Sequence, residues 1–205
     1  MSSEENKPVD RRRFFRLGLS ELLRPLAKAA KPLERMIHEM GKLDQPEARP
    51  EVWLRPPGSL AEAQFRQTCQ RNGDCVRACP VQAIQMDRAK AGGVPFIDAD
   101  FAACVVCSGL QCMSVCPSGA LRPTSINDID MGTAVWHSAS CVRTRGQDCT
   151  ICIDKCPLGS AAIELKADRV AVNPLGCVGC GVCQLECPTD PKSIVVIPIA
   201  AKTAK

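Results

Sequence analysis

Fifteen cysteines in four copies of one spacing are the feature that most constrains this 205-residue chain. The clearest copy is Cys177-x2-Cys180-x2-Cys183-x3-Cys187, and it is followed directly by Pro188. The three earlier copies, which also end in Cys-Pro, are Cys69, Cys75 and Cys79; Cys104, Cys107, Cys112 and Cys116; and Cys141, Cys149, Cys152 and Cys156. Four copies require sixteen positions, and fifteen cysteines fill all but one of them.

The spacing of the last copy is the one that bacterial ferredoxins use to hold a [4Fe–4S] cluster. A disulfide scaffold fits poorly, because the number of cysteines is odd and the gaps between them are short. Structural zinc sites place two Cys-x2-Cys pairs far apart, whereas here three or four thiols lie close together. We therefore interpret all fifteen cysteines as iron–sulfur ligands. The chain has no phosphate-binding loop, dinucleotide fingerprint or catalytic triad pattern, so we predict an electron carrier rather than an enzyme.

Asn72 stands at the one position where the pattern lacks a cysteine, in the order Cys69-x2-Asn72-x2-Cys75. A neutral carboxamide is a much poorer iron ligand than an anionic thiolate. Three outcomes follow from the sequence: a [3Fe–4S] cluster, a [4Fe–4S] cluster with a non-cysteine donor at one corner, or an empty site. We expect three [4Fe–4S] clusters in addition to this fourth site.

Short apolar stretches before and after the cysteine loops predict an α+β fold. Aromatic residues make up only 3% of the chain and Tyr is absent, so the core has to form around the bound clusters. We predict two bacterial-ferredoxin-like modules of two clusters each, in which every Cys-Pro opens a helical turn. The predicted strands are residues 83–86, 94–97, 162–165, 169–172 and 194–197.

The pairing of the motifs is a separate question, because in two-cluster ferredoxins the fourth cysteine of one motif binds the cluster of the other. The first and fourth motifs have compact spacing, whereas the second and third contain gaps of four and seven residues. This symmetry favours pairing the first motif with the fourth and the second with the third, over sequential pairing. The favoured ligand sets are Cys69, Cys75 and Cys187; Cys177, Cys180, Cys183 and Cys79; Cys104, Cys107, Cys112 and Cys156; and Cys141, Cys149, Cys152 and Cys116.

The first 50 residues contain no cysteine and differ in character from the rest. Residues 11–42 carry nine Lys/Arg against three Glu, a net charge of +6, whereas the whole chain carries +4. Arg11-Arg12 with Phe14-Phe15 behind it matches a twin-arginine export signal, although charges interrupt the apolar region that should follow. The alternative is an amphipathic helix that docks on a membrane surface or a partner. Its apolar face would contain Phe15, Leu19, Leu22, Leu26, Ala29, Leu33, Ile37 and Met40.

These features divide the chain into a basic N-terminal segment at 1–50, a Pro-rich linker at 51–60 and a four-motif iron–sulfur region at 61–205. In the linker and the iron–sulfur region, WLRPPGSL at 53–60, MGTAV at 131–135 and I-x-V-x-P at 194–198 accompany the four motifs. Together these residues resemble the NapG/MauM ferredoxin-type proteins over about residues 50–199. That resemblance implies four [4Fe–4S] clusters and electron transfer from a membrane quinol-oxidising partner to a periplasmic system. The sequence departs from the family pattern at Asn72, where the family has Cys.

The leading functional hypothesis is a relay of single electrons from a membrane quinol-oxidising or dehydrogenase protein to a terminal reductase. The alternatives are an iron–sulfur subunit of a larger oxidoreductase and a maturation factor for a metalloenzyme. We expect no nucleic-acid partner. The N-terminal segment predicts a periplasmic protein exported by the twin-arginine route or a membrane-associated one, with a cytoplasmic location as the alternative.

Overall fold

The computed structural model describes residues 52–199, which belong to one compact unit. The predicted export signal and amphipathic helix lie outside these residues. Five short helices are present in the described part: α1 Glu62–Thr68, α2 Asp74–Ala78, α3 Gln111–Ser114, α4 Ile151–Asp154 and α5 Val182–Leu185. The six strands are β1 Ile84–Gln85, β2 Phe96–Ile97, β3 Gly132–Trp136, β4 Ile163–Lys166, β5 Arg169–Val172 and β6 Ile194–Pro198. None of the helices described between 52 and 199 is long and apolar enough to cross a bilayer.

The strands form three antiparallel two-stranded ribbons. In the first, Ile84 of β1 faces Ile97 of β2, and in the second β4 pairs with β5 along its whole length. The third joins β3 to β6, with Ala134 opposite Val196. The strands predicted at 83–86, 94–97, 162–165, 169–172 and 194–197 are thereby confirmed, each within three residues of its expected bounds. Strand β3 was not predicted.

The helical turns lie before each Cys-Pro and not after it, so that part of the prediction was wrong. Helices α2 to α5 each begin one residue before the third ligand position of a motif and end one or two residues before its last cysteine. Cys79, which ends α2, has extended backbone (φ −75°, ψ 114°). The ring of a following proline disfavours helical backbone in the residue before it, which is why Cys-Pro ends a helix here. After the third motif alone, a single 3-10 turn follows at Gly159–Ala161.

The Pro-rich segment predicted as a linker is part of the packed unit from Val52 onward. Pro56 and Pro57 are among the largest fully buried side chains, and Leu54 pairs with Ile97 at the edge of the first ribbon. Arg55 is buried, and its guanidinium donates to both carboxylate oxygens of Glu62 at 2.8 and 2.6 Å. This segment therefore closes one side of the core instead of separating two bodies.

The core is small, and cysteines form much of it. One apolar cluster includes Phe65, Ile84, Ile97 and Leu121 together with cysteines of the first two motifs. A second includes Ile163, Val170 and Ile194 with cysteines of the last two motifs. The side chains thus pack around the cysteine loops, as the scarcity of aromatic residues requires.

Candidate iron–sulfur sites

Four pockets of similar size contain all fifteen cysteines. We name them in motif order, so that site A consists of Cys69, Cys75 and Cys116 beside Asn72; site B of Cys79, Cys104, Cys107 and Cys112; site C of Cys141, Cys149, Cys152 and Cys187; and site D of Cys156, Cys177, Cys180 and Cys183. Their volumes are about 310, 350, 330 and 320 Å³ in the same order. None of the fifteen cysteines forms a disulfide.

Each site combines three cysteines of one motif with the fourth cysteine of another, which we call its crossover cysteine. The first motif exchanges crossover cysteines with the second, and the third with the fourth. The pairing of first with fourth and second with third was therefore wrong. The ribbons explain why: β1 follows Cys79 and pairs with β2, which leads into the second motif, so Cys79 reaches site B. In the same way β4, after Cys156, pairs with β5, which leads into the fourth motif.

The thiols in these pockets lie near one another, and many of them are shielded from water. Across residues 52–199, no three His, Cys, Asp or Glu side chains converge tightly enough to hold a single metal ion. A zinc ion would draw four sulfurs to about 2.3 Å from itself. Burial, and after it the neighbouring thiols, raise the pKa of Cys75 and of Cys152 to about 11. Thiolates crowded together away from water require compensating positive charge, which iron supplies when a cluster is bound.

Site A offers three thiols, and the carboxamide of Asn72 is engaged elsewhere. Its Nδ2 donates to a carboxylate oxygen of Asp74 at 2.5 Å, and its Oδ1 accepts the backbone N–H of Asp74 at 3.3 Å. Arg77 holds the other carboxylate oxygen of Asp74 at 2.5 Å. Asn72 therefore stabilises the turn that opens α2, as Asn commonly does. A pocket lined by the three thiols nevertheless remains beside Asn72.

Electrostatic interactions between thiols link site A to site B and site D to site C. Burial, followed by nearby thiols that include Cys75 of site A, raises the pKa of Cys112 in site B to about 12. Burial, followed by nearby thiols that include Cys152 of site C, raises the pKa of Cys183 in site D. In each of these two pairs, one ribbon joins the two motifs, and each motif contributes its last cysteine to the site of the other.

A backbone hydrogen bond connects the two pairs. The N–H of Cys104 in site B donates to the carbonyl of Cys180 in site D at 2.9 Å. Burial raises the pKa of Cys180 to about 12, and Cys104 is among the thiols that contribute to the increase. The sites therefore follow one another in the order A, B, D, C, with A and C at the two ends.

Two crossover cysteines, Cys116 and Cys187, each have a side-chain hydroxyl within hydrogen-bond distance of the sulfur. Burial alone would raise the pKa of Cys116, but the N–H of Leu121 at 3.4 Å and the hydroxyl of Ser118 at 3.5 Å outweigh it, and this pKa lies below its ordinary value. Likewise, burial acts to raise the pKa of Cys187, and hydrogen bonding led by the Thr189 hydroxyl at 3.2 Å lowers it. Neither Ser118 nor Thr189 was predicted to have a role. The signal was present as a hydroxyl residue directly after Cys-Pro.

Comparison with known proteins agrees with this arrangement. A family model described as a 4Fe-4S dicluster domain matches residues 68–120, which contain the first two motifs. The "Ferredoxin-type protein NapG" of Escherichia coli (strain K12) is 32% identical over 97% of this chain and 90% of that protein. The chain belongs to the NapG/MauM family of ferredoxin-type proteins. It is therefore an iron–sulfur electron-transfer protein that carries 4Fe-4S clusters, and the resemblance seen in the sequence is confirmed.

Two MauM relatives show a similar degree of sequence identity to this chain. The "Methylamine utilization ferredoxin-type protein MauM" of Methylophilus methylotrophus is 32% identical over 97% of this chain and 88% of its own length. The MauM of Methylobacillus flagellatus is 37% identical over 71% of this chain and 68% of its own length. No solved structure matches the chain.

Proposed function

We propose that this NapG/MauM family member relays single electrons through four sites in the order A, B, D, C. The observation that carries the proposal is the backbone hydrogen bond from Cys104 to Cys180 at 2.9 Å, which joins the two pairs of sites. A bound cluster supplies reversible one-electron chemistry, whose potential depends on hydrogen bonds, charge and exposure. The chain itself contributes the ligands and their order, and no bond-making step is needed.

For site A we propose a three-iron cluster. Three thiols in one pocket and a carboxamide turned toward Asp74 support three irons over a fourth iron bound through Asn72 or an empty site. The other three sites each have four cysteines, which fits one [4Fe–4S] cluster apiece. The alternative for site A is a [4Fe–4S] cluster with a non-cysteine donor at the corner nearest Asn72.

EPR of the oxidised protein after anaerobic purification tests this cluster assignment. Oxidised [4Fe–4S] clusters of ferredoxin type are silent, whereas an oxidised [3Fe–4S] cluster gives a signal, and we expect about one spin per chain. In Asn72→Cys the added thiolate should bind a fourth iron, so that the signal disappears and the iron content rises by about one atom. Asn72→Ala is the matched control, and it should retain the signal. A silent wild-type spectrum with a full iron content would contradict the three-iron assignment.

We propose that the partners are a membrane quinol-oxidising or dehydrogenase protein on one side and a terminal reductase on the other. The twin arginines at Arg11-Arg12 support export to the periplasm or residence at the membrane surface. Cell fractionation of the wild type and of the Arg11→Lys/Arg12→Lys double variant tests the location. Export predicts that only the double variant accumulates in the cytoplasm, and equal cytoplasmic pools of both would contradict it.

Two other functions remain candidates beside the relay. A permanent subunit of a larger oxidoreductase would co-purify in a stable complex. A maturation factor would leave its client enzyme synthesised but inactive when this chain is removed. The series of four cysteine sites favours the relay over the maturation factor, because a chaperone-like role does not require contacts from one end of the series to the other.

A further inference from the structure

The two end sites of the series share a feature at their crossover cysteines. In site A the second residue after Cys116 is Ser118, and in site C the second residue after Cys187 is Thr189. Both hydroxyls contact the crossover sulfur, at 3.5 and 3.2 Å. At the same position, sites B and D have the apolar residues Val81 and Leu158, which have no hydroxyl to donate.

The direction of these hydrogen bonds follows from the other contacts of each hydroxyl. An iron-bound cysteine is a thiolate and carries no proton, so the hydroxyl has to be the donor. In site A the Ser118 oxygen accepts the backbone N–H of Ala120 at 3.3 Å, which leaves its own proton for Cys116.

Thr189 is the inner member of a longer chain of donors. Its oxygen accepts the backbone N–H of Ser193 at 2.9 Å and lies 2.6 Å from the Ser193 hydroxyl. Because Thr189 gives its proton to Cys187, Ser193 has to give its proton to Thr189. Ser193 is only 2% exposed, so water does not compete for these groups. Hydrogen bonds linked in this way strengthen one another.

Cations also contact the backbone of ligand cysteines at the two ends. In site A the guanidinium of Arg71 donates to the carbonyl of Cys69 at 3.3 Å. In site C the ammonium group of Lys192 donates to the carbonyl of Cys187 at 2.6 Å. Among residues 52–199, no Lys or Arg hydrogen-bonds to a cysteine of site B or D. Arg71 and Lys192 therefore place positive charge at the two ends of the series.

We propose that the hydroxyls of Ser118 and Thr189 raise the reduction potentials of the clusters at sites A and C, so that electrons are held most readily at the two ends of the relay. A proton donated to a thiolate withdraws negative charge from it, and the reduced cluster carries one more negative charge than the oxidised one. The donor therefore stabilises the reduced form more strongly. This inference rests on the proposed function, because it assumes clusters in both sites.

A potentiometric titration followed by EPR tests the inference on the full chain, reconstituted anaerobically with iron and sulfide. Thr189→Val removes the hydroxyl and keeps the shape of the side chain, and it should shift one couple to a more negative potential. Ser118→Ala should shift a different couple in the same direction, and by less because its contact with sulfur is longer. The reciprocal change Val81→Thr should shift a third couple, that of site B, to a more positive potential.

Two further variants separate hydrogen bonding from packing. Thr189→Ser keeps the hydroxyl and should retain the wild-type potential, whereas Thr124→Val makes the same hydroxyl-to-methyl change outside the four sites and should shift no couple. The inference is overturned if Thr189→Ser shifts as far as Thr189→Val, or if no couple moves in Thr189→Val and Ser118→Ala at wild-type iron content. If site C of Thr189→Val binds no cluster, Ser193→Ala has to shift the couple of site C to a more negative potential. An unshifted couple in Ser193→Ala then overturns the inference.

The same samples separate this inference from the proposed function. A wild-type protein that binds no clusters would contradict the relay itself. If the wild-type protein binds its clusters and the variants have the same reduction potentials as the wild type, the relay stands and only the role of the two hydroxyls is overturned.

Discussion

Arg55 and Glu62 form a half-buried ion pair that fixes the Pro-rich segment at the edge of the fold. Burial alone would raise the pKa of Glu62, but hydrogen bonds and charge from Arg55 and then Arg66 outweigh it, and the pKa lies below its ordinary value of 4.5. Arg55 is 5% exposed and Glu62 30% exposed, so the pair lies between the buried and the surface regimes. Its stability therefore depends on pH in a predictable direction.

We predict that Glu62→Gln lowers the free energy of unfolding at pH 7 by about 1.5 kcal/mol, the lower end of the range for a hydrogen bond to a charged group. Because the folded-state pKa of Glu62 is lowered, this contribution is complete above pH 4.5 and is lost as the pH falls through that lowered pKa. The melting temperatures of wild type and variant should therefore differ at neutral pH and converge in acid. Scanning calorimetry at a fixed rate across this pH range measures the difference.

Glu164→Gln is the matched control for this change. Glu164 pairs with Lys166 at 2.7 Å, but both side chains are exposed, at 40% and 68%. Exposed pairs contribute little, so this variant should melt with the wild type at every pH. Equal melting of Glu62→Gln and wild type at pH 7 would show that the segment is held by apolar packing alone.

Individual residues could be predicted from the sequence to different degrees. The cysteines were predicted because thiolate ligation leaves a fixed spacing, and Asn72 was visible as a gap in it. The burial of Arg55 was not predicted, since Pro-Pro-Gly normally indicates a linker and nothing nearby in the sequence marks Glu62 as its partner. Ser118 was missed because its role depends on where Cys116 points, and that is decided by a crossover between motifs.

At the scale of elements, the loop of the fourth motif depends on a close approach to strand β3. Gly179 has a φ of +71°, and a Cβ on it would lie 2.5 Å from the backbone nitrogen of Gly132. Both the conformation and the contact require glycine. Because Gly179 lies between Cys177 and Cys180, the same contact sets the shape of site D.

We predict that Gly179→Ala moves this loop away from β3 and prevents a cluster from binding in site D. Iron content should fall by about four atoms per chain, and the couple of site D should vanish from a potentiometric titration. Gly146→Ala is the control, because Gly146 also has positive φ (+84°) but a Cβ on it would meet no atom within 4 Å. A normal iron content in Gly179→Ala would mean that the loop can shift without losing its ligands.

The pairing of motifs shows which elements a sequence reveals and which it does not. Strand β4 ends and β5 begins three residues apart, so they form a hairpin that brings Cys156 to site D. The gap lengths inside the motifs suggested another pairing. Those gaps shape the loop around a motif's own site and do not determine which other motif it pairs with. Strand β3 was missed because Gly132, Thr133 and Ala134 give it a weak apolar pattern, whereas its partner β6 is rich in Ile and Val.

At the scale of the whole molecule, the order of the sites depends on one junction. The half of the fold that holds sites A and B meets the half that holds sites C and D where the N–H of Cys104 donates to the carbonyl of Cys180. Sites B and D are therefore the interior pair. Neither half alone contains all four sites. A relay of this kind is therefore most vulnerable in its interior, where the loss of one site separates the two ends.

The magnetic interactions of the reduced clusters report this order directly. When all sites are reduced, neighbouring clusters should broaden each other's EPR signals, which gives couplings A–B, B–D and D–C. Cys180→Ala should abolish site D, and with it both couplings that involve D, so that site C gives an isolated signal while A and B remain coupled. Cys141→Ala, which removes a ligand of the end site C, should leave A–B and B–D unchanged. A signal from site C that stays broadened in Cys180→Ala would place another site beside it and contradict the order A, B, D, C.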